Sequence, residues 1–367
     1  MNDASGAPKS RVYLDLTHLG RHVTGIERVS IEQFEKVAFD AAEVLPVRST
    51  SVFSMIVRQQ ILLPLLAIVH PSAQFAFPGF PPSPFFALIP HRVVMYVHDT
   101  FLLTRKQDLS AKARLYMAPQ FALAVRRLKR FLVNSEKTRA DLKAFARKDS
   151  AIDLYRPAVA NHFGLESAPR LIRPDSSNPL KLVSLGTVEP RKNYGAALAI
   201  LDAVRATFDA RAELHIIGRA GWGDDADIIA KHPGVTVHGY LPAEAVRKII
   251  GDAGIYLCTS HDEGLGLPLL EAQFAGLPVV APEQPVFREV LGASGTFIDP
   301  ANAAQSAEAI HRILSAPDWR RCQANLAVSN VRRWNLLAGA DLAAARQVFK
   351  ANGLLKAPDA KSVLSVP

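Results

Sequence analysis

Short apolar segments alternate with stretches of helical periodicity along almost the whole chain, and this alternation limits the fold more than any other feature. Residues 11–17 (RVYLDLT), 42–47, 74–77, 93–98 and 131–135 read as strands, and a further strand precedes Pro157. Between them, residues 24–38 carry Ile26, Val29, Ile31 and Phe34 at helical spacing. Residues 109–128 read as a long helix, and 136–147 as another that Ser135 is placed to cap. Residues 164–180 then collect Pro169, Pro174, Asp175, Ser176, Ser177, Asn178 and Pro179, the clearest linker in the chain. Beyond it the alternation restarts, with strands expected at 181–185, 213–217, 235–238, 255–259 and 278–281. Helices are expected at 194–208, 243–250, 268–275 and 304–314. Residues 76–90, rich in Pro and Phe, resist assignment.

Short apolar strands separated by helices imply parallel sheets covered on both faces. Two such series around a linker predict an α/β chain of two doubly wound, Rossmann-like domains facing a central cleft. The expected boundaries are 1–170, 171–335 and a C-terminal helix with tail at 336–367, the helix packing back toward the first domain. Ligands of such sheets bind outside the carboxyl ends of the strands, so the strand-to-helix turns are where chemistry is sought.

The formal charge of +9 is concentrated in one segment. Residues 101–150 hold 13 basic and 4 acidic side chains, while the rest of the chain cancels. A local basic surface argues against a nucleic-acid binder and for a docking face. Arg126, Arg127, Lys129 and Arg130 cluster at one helix end beside Leu123, Val125 and Leu128. They read either as a solvated helix terminus or as a patch for anionic lipid head groups within 105–148. Two cysteines, Cys258 and Cys322, do not make a disulfide framework. Residues 1–10 are polar and lack a signal-peptide core. The most apolar stretch, 61–69, is interrupted by Pro64 and is far too short to span a bilayer. The expectation is a cytoplasmic protein, peripheral at the membrane's inner face if the basic patch binds lipid.

Two turns carry most of the chemical information. In the first, Ser260 to Val280, Gly264 and Gly266 let the backbone turn tightly and approach a ligand. Pro268 suits the first turn of a helix, whose free N–H groups favour a phosphate. Glu263 in the loop and Glu271 inside the helix are eight residues apart and can face one ligand. A plain glycine turn with two surface glutamates is the competing reading. In the second, residues 185–193 (LGTVEPRKN), Arg191 and Lys192 follow a strand and can neutralise a diphosphate. A solvated basic pair is the alternative. His98, with Asp99, ends a strand and is either a structural histidine or a sugar-contacting donor. Thr24 and Gly25 open a helix after the first strand and can wrap a phosphate or acceptor. No Walker A sequence, metal-spaced Cys/His cluster or nucleophile elbow is present, so no metal is expected.

Taken together these segments resemble glycosyltransferase family 4, retaining nucleotide-sugar enzymes of GT-B fold. EGLGLPLLEA at 263–272 matches the family's pair of glutamates, and GTVEPRKN at 186–193 its phosphate-binding turn. VHGYL at 237–241 resembles the segment contacting the nucleotide base. TGIERV at 24–29, YVHDT at 96–100 and VNSEKTRADL at 133–142 resemble N-terminal segments of bacterial, mannosyltransferase-like members. Arg333-Trp334 resembles the late tryptophan segment that precedes the terminal helix.

The resemblance implies roles position by position. Glu271 would bind the donor ribose and Glu263 the donor sugar. The backbone of Gly264, Leu265, Gly266 and Leu267 would hold sugar and phosphate oxygens. Lys192 would bind and stabilise the leaving diphosphate, with Arg191, Gly186 and Thr187 alongside. Tyr240 and Leu241 would meet the base, His98 the donor sugar, and Thr24 and Gly25 the acceptor side. Lys192, Glu263 and His98 are the expected catalytic residues. One departure is Thr187, where many members have Arg; Arg191 is the candidate replacement.

The implied activity is retaining hexosyl transfer, mannose favoured, from GDP-mannose or alternatively a UDP-sugar, without a metal cofactor. The implied acceptor is a saccharide or lipid-linked saccharide in surface polysaccharide biosynthesis. Two other classes compete. A catalytically silent nucleotide- or glycan-binding protein of the same fold lacks turnover. A dinucleotide oxidoreductase needs a G-x-G-x-x-G turn that is absent here.

Overall fold

The computed structural model describes residues 10–19, 25–35, 42–111, 113–167, 178–219, 221, 229 and 231–351. The chain divides into two compact units, one of Met1–Pro157 with Leu337–Pro367, the other of Ala158–Leu336. The first crossing falls at Pro157, ahead of the 170/171 boundary read from the sequence, because Val159 and Leu165 are buried in the second unit's core. The second falls at Leu336, inside the helix Trp319–Ala351, with no composition change to mark it. Most of the Pro-rich stretch, 168–177, lies outside the described residues, as does Thr24.

The first unit is built on β1 (Ser10–Leu16), β2 (Ala42–Arg48), β3 (Gln74–Phe77), β4 (Val93–Val97), β5 (Arg130–Val133) and β6 (Ala151–Leu154). Their order is β2-β1-β3-β4-β5-β6, and every neighbouring pair is parallel. Ser135 caps the helix Glu136–Lys143 as its sequence predicts, its Oγ accepting from the Thr138 N–H at 3.1 Å. Residues 76–90, unassigned from sequence, hold the end of β3 and a short 3-10 helix, Pro84–Leu88. Their aromatics account for the composition: Phe86 is fully buried and packs against Phe75 and Phe77 with ring centroids 5.0 and 4.9 Å away.

The apolar stretch is longer than the sequence reading of 61–69. Residues Val52–Val69 are continuously helical over 18 residues, through a π turn at Arg58–Leu62. Pro64 does not interrupt it, because it directly follows the π turn, where the Leu63 N–H already reaches back five residues to the Arg58 carbonyl and the helix is locally widened.

The second unit holds β7 (Lys181–Leu185), β8 (Glu213–Ile217), β9 (Val235–Val237), β10 (Ile255–Leu257), β11 (Val279–Pro282) and β12 (Gly295–Ile298). The order is β12-β11-β10-β7-β8-β9, again parallel throughout. Successive strand residues point to opposite faces, and here both faces are buried. Val183, Tyr256, Val279 and Ala281 enter one core, whereas Leu182, Ile255, Leu257 and Val280 enter the other. That is why these strands read as unbroken apolar runs. The edge strand β12 and the helix Pro285–Leu291 are additions to the sequence reading; β12 is short and half-buried, so its pattern is weak.

Strand order reverses between β7 and β10, neighbours in the sheet but three strands apart in sequence. Connections leave such a point in opposite directions, so their loops part and leave a crevice at the carboxyl ends. The two informative turns of the sequence follow these two strands.

Candidate active site

After β7 the chain passes Gly186, whose φ of 145° is a conformation that favours glycine. A Cβ there would sit 3.0 Å from Cε of Lys192, so the absent side chain makes room for the lysine. A 3-10 turn, Pro190–Lys192, then presents both cations, and Asn193 (φ 52°) redirects the backbone into the helix Tyr194–Thr207. After β10 the chain runs through Cys258 to Gly266, whose φ of 89° launches the helix Leu267–Gln273.

The two loops are clamped together. The Arg191 carbonyl accepts from the His261 N–H at 2.8 Å, and Thr259 Oγ1 donates to the Asn193 carbonyl at 2.9 Å. Their side chains meet at Glu263. Lys192 Nζ lies 2.6 Å from its Oε1 and Arg191 Nη1 2.7 Å from its Oε2. Ser260 Oγ donates to Oε1 at 2.8 Å. Arg191 also reaches the Asp262 carbonyl at 2.8 Å and pairs with Glu189 at 2.5 Å. Burial pushes the Glu263 carboxyl up, but the Lys192 and Arg191 cations beside it outweigh this and hold it at about 2. Glu263 is therefore ionised throughout the physiological range.

Lys192 and Arg191 are thus brought together with Glu263, 71 or more positions away, beside Gly186 and the 264–267 turn. Glu271 sits within the same short helix and is 5% exposed. Thr187 lies beside Gly186 in the β7 turn, and its Cγ2 bounds the space above Gly221. Tyr240 and Leu241 follow the edge strand β9; Tyr240 is 72% exposed, while Leu241 packs on the core. The helix Leu267–Gln273 has only seven residues. The turn's own amides, more than a helix field, are what it offers an anion.

Two observations change the electrostatic reading. The sequence suggests free cations for a diphosphate, but Lys192 and Arg191 are both engaged by carboxylates. Glu189, which the sequence reading passed over, pairs with Arg191 and completes a set of two cations and two anions with no net charge. Ser260 was also missed; its position three residues before Glu263 was the available signal.

His98 and Gly25 belong to the first unit. Gly25 is the first residue of the helix Gly25–Ser30. His98 follows β4; its Nε2–H donates to the Pro78 carbonyl at 2.7 Å, and burial holds the ring at about 4, hence neutral. A second histidine, His18, lies past β1 at that sheet's own order reversal, between β1 and β3. Burial and then His98 hold it down at about 4 as well. Its Nε2 is 3.2 Å from Ser30 Oγ, and its Nδ1 has no hydrogen-bond partner among the described residues. Among those residues no cluster of His, Cys, Asp or Glu is arranged to hold a metal ion.

Residues 179–316 match the family described as glycosyl transferases group 1. The O-antigen chain mannosyltransferase B of Escherichia coli is 30% identical over 141 residues, 37% of this chain and 37% of that protein. A phosphatidyl-myo-inositol mannosyltransferase of Mycobacterium leprae (strain TN) is 29% identical over 191 residues, 50% of each chain. The chain therefore spans half or less of the length of these curated relatives. Among solved structures, Anabaena HepE in complex with UDP superposes with a TM-score of 0.65 at 16% identity, covering 91% of this chain and 100% of that one. That likeness gives the fold, and the matched segment contains every element of the charged cluster. Residues 179–316 thus match the glycosyl transferases group 1 family, within a chain of GT-B fold that resembles glycosyltransferase family 4.

Proposed function

We propose that the chain is a glycosyltransferase that moves mannose from GDP-mannose to a saccharide or lipid-linked saccharide of a surface polysaccharide, with retention at the anomeric carbon. The observation that carries this reading is the Lys192–Arg191–Glu263 cluster at the order reversal of the second sheet, beside the 264–267 turn. The matched domain supports glycosyl transfer, and the relatives' names support mannose and surface or lipid-linked glycans. The UDP held by HepE makes a UDP-sugar the competing donor.

In this reading Lys192 and Arg191 meet the negative charge that develops on the leaving diphosphate. Preorganised cations act where charge appears, so they favour the transition state over the ground state. Glu263 has both carboxylate oxygens engaged by cations. Such a carboxylate is a weak nucleophile, which supports front-face attack assisted by the departing phosphate over a covalent intermediate on Glu263. Its remaining lone pairs are suited to donor-sugar hydroxyls. Glu271 is suited to the ribose, and Glu271→Ala is expected to weaken nucleotide binding by about 10–100-fold, the range for losing charged hydrogen bonds. An unchanged Kd by calorimetry rejects that role.

The neutral cluster makes an expectation of its own. Arg191 divides its charge between Glu189 and Glu263. Glu189→Gln keeps the size and a hydrogen-bonding group while removing one anion. It is expected to tighten nucleoside-diphosphate binding by about 2–10-fold, the scale of a partly exposed ion pair. Unchanged or weaker binding of the diphosphate would separate this cluster from the phosphate site.

The decisive experiment is a thermal-shift and calorimetric panel of GDP, UDP, ADP and their sugars. It is followed by NMR of the anomeric product and of slow donor hydrolysis without acceptor. Selective stabilisation by GDP and GDP-mannose supports the donor assignment, and selectivity for UDP replaces it. Binding with no transfer or hydrolysis for any donor overturns the enzymatic reading.

A further inference from the structure

The helical stretch Val52–Val69 wears its polarity inside out. A surface helix normally turns its apolar stripe to the core and its polar side chains to water. Here every exposed residue of the stretch is apolar. Phe53 is 78% exposed, and Ile56, Ile61, Leu65, Ile68 and Val69 share the solvent face. Gln59 and Gln60 are turned inward. Gln59 is buried, and its Nε2 donates to Thr17 Oγ1 at 2.8 Å and to Asp15 Oδ2 at 3.3 Å. Gln60 Nε2 lies 3.1 Å from both Tyr116 Oη and Gln120 Oε1. Leu63 and Ala67 complete the inner face, in the core of the first sheet. An exposed contiguous apolar face of this kind implies a partner that receives it.

The neighbouring element indicates which partner. The Gln60 contacts join the helix to the basic segment, at residues 116–120. Leu115 there is 78% exposed and follows the exposed Arg114. Arg126 and Arg127 end the same helix, Ala118–Arg127, about two turns beyond Gln120. Both are exposed, and neither has an acidic partner among the described residues. By contrast Arg105, Lys137, Arg139 and Arg147 are each paired with a carboxylate. The apolar face is therefore flanked by unpaired cations. A second copy docked face to face would bring two segments of +9 together. A bilayer with anionic head groups satisfies both features at once, acyl chains for the apolar face and phosphates for the cations.

The geometry points to a membrane-docking surface in which the solvent face of Val52–Val69 enters the head-group and acyl boundary of an anionic membrane while Arg114, Arg126 and Arg127 bind its phosphates. The helix does not cross the bilayer. It is long enough by composition, but Gln59 and Gln60 tie its midpoint to β1 and to the helix Ala118–Arg127, so it lies along the unit. This surface is independent of the donor chemistry: vesicle binding by a chain that transfers nothing would retain it.

The test is flotation of the full chain with phosphatidylcholine vesicles, with and without phosphatidylglycerol. The chain is expected to float with the anionic vesicles at low salt, less so at high salt, and weakly with phosphatidylcholine alone. Phe53→Ser/Ile61→Ser/Leu65→Ser is expected to lower the partition coefficient at least about tenfold, because three apolar side chains leave the acyl region. All three residues are exposed, so its thermal unfolding and nucleoside-diphosphate binding should match the unaltered chain. If that variant fails to fold, Phe53→Trp carries the test: its added emission should shift to the blue on vesicles and be quenched by brominated acyl chains. Absence of flotation, wild-type binding by the triple variant, or unquenched Trp emission overturns the proposal. So does a dimer in sedimentation that the triple variant converts to monomer, which would assign the face to a second copy.

Discussion

Lys192→Ala is expected to lower turnover by about 10²–10³-fold, the effect of removing one preorganised donor from developing charge. The size follows from the geometry. Lys192 Nζ is 2.6 Å from Glu263 Oε1, and its stem lies over Gly186, where no side chain competes for the space. Nothing else in the cluster is in reserve, because Arg191 is already divided between Glu189 and Glu263. The variant should lose kcat more than donor affinity, since the interaction strengthens as the diphosphate departs. A second readout separates this from structural damage. Glu263 would lose one of the two cations that hold its carboxyl at about 2. A carboxyl depressed in the folded state contributes stability that is present above its unfolded value and lost as pH falls through the folded one. In the variant the folded carboxyl lies closer to its unfolded value, so this contribution is smaller and its loss on acidification is complete at a higher pH. Lys192→Ala with unchanged turnover would remove the lysine from the chemistry and leave it as a partner of Glu263 alone.

Trp334→Ala is expected to destabilise the second unit by about 3–5 kcal/mol, as deletion of a buried aromatic does. That corresponds to a fall in Tm of about 6–20 °C for a unit of this size. Trp334 is fully buried among Val286, Phe287, Val290 and Leu291, in the core that also supports Leu265 and Leu269 next to the site. Its neighbours bolt the same place. Arg333 Nη2 donates to the Glu289 and Val290 carbonyls at 2.8 and 2.9 Å. Asn335 exchanges two hydrogen bonds with the Val159 backbone, at 2.8 and 3.0 Å. Trp334→Phe should lose much less, since it keeps most of the ring volume. Calorimetry of both variants decides the matter; equal melting of Trp334→Ala and the parent chain would mean that the core collapses around the vacancy without loss.

Much of the second unit's architecture was legible because it is local. β7 and β8 carry the bounds read from sequence, and the glycine turns fall where the strands end. Unbroken apolar runs identified buried parallel strands because residues on both faces enter a core. What escaped was either weakly patterned or long-range. β12 is a short, half-buried edge strand. The helix Val52–Val69 was read only as an apolar stretch at 61–69 interrupted by Pro64, because a proline that starts a helical segment and one that breaks a helix look alike in sequence. His18 follows a strand with no motif around it, and only the strand order places it at a reversal point.

By itself the sequence determined that there are two series of parallel strands and that two glycine turns bear two cations and two glutamates. It also determined that the positive charge collects in residues 101–150. These follow from spacing and composition, which act within a few residues. Only the tertiary structure decided how the charges are used. Because β7 and β10 are adjacent in the sheet, Arg191 and Lys192 meet Glu263 across 71 or more positions, and with Glu189 the set becomes neutral. Only the tertiary structure, too, turned Gln59 and Gln60 inward and left an apolar helix face to solvent. Periodicity tells which residues share a face of a helix; which face meets the core depends on what packs against it.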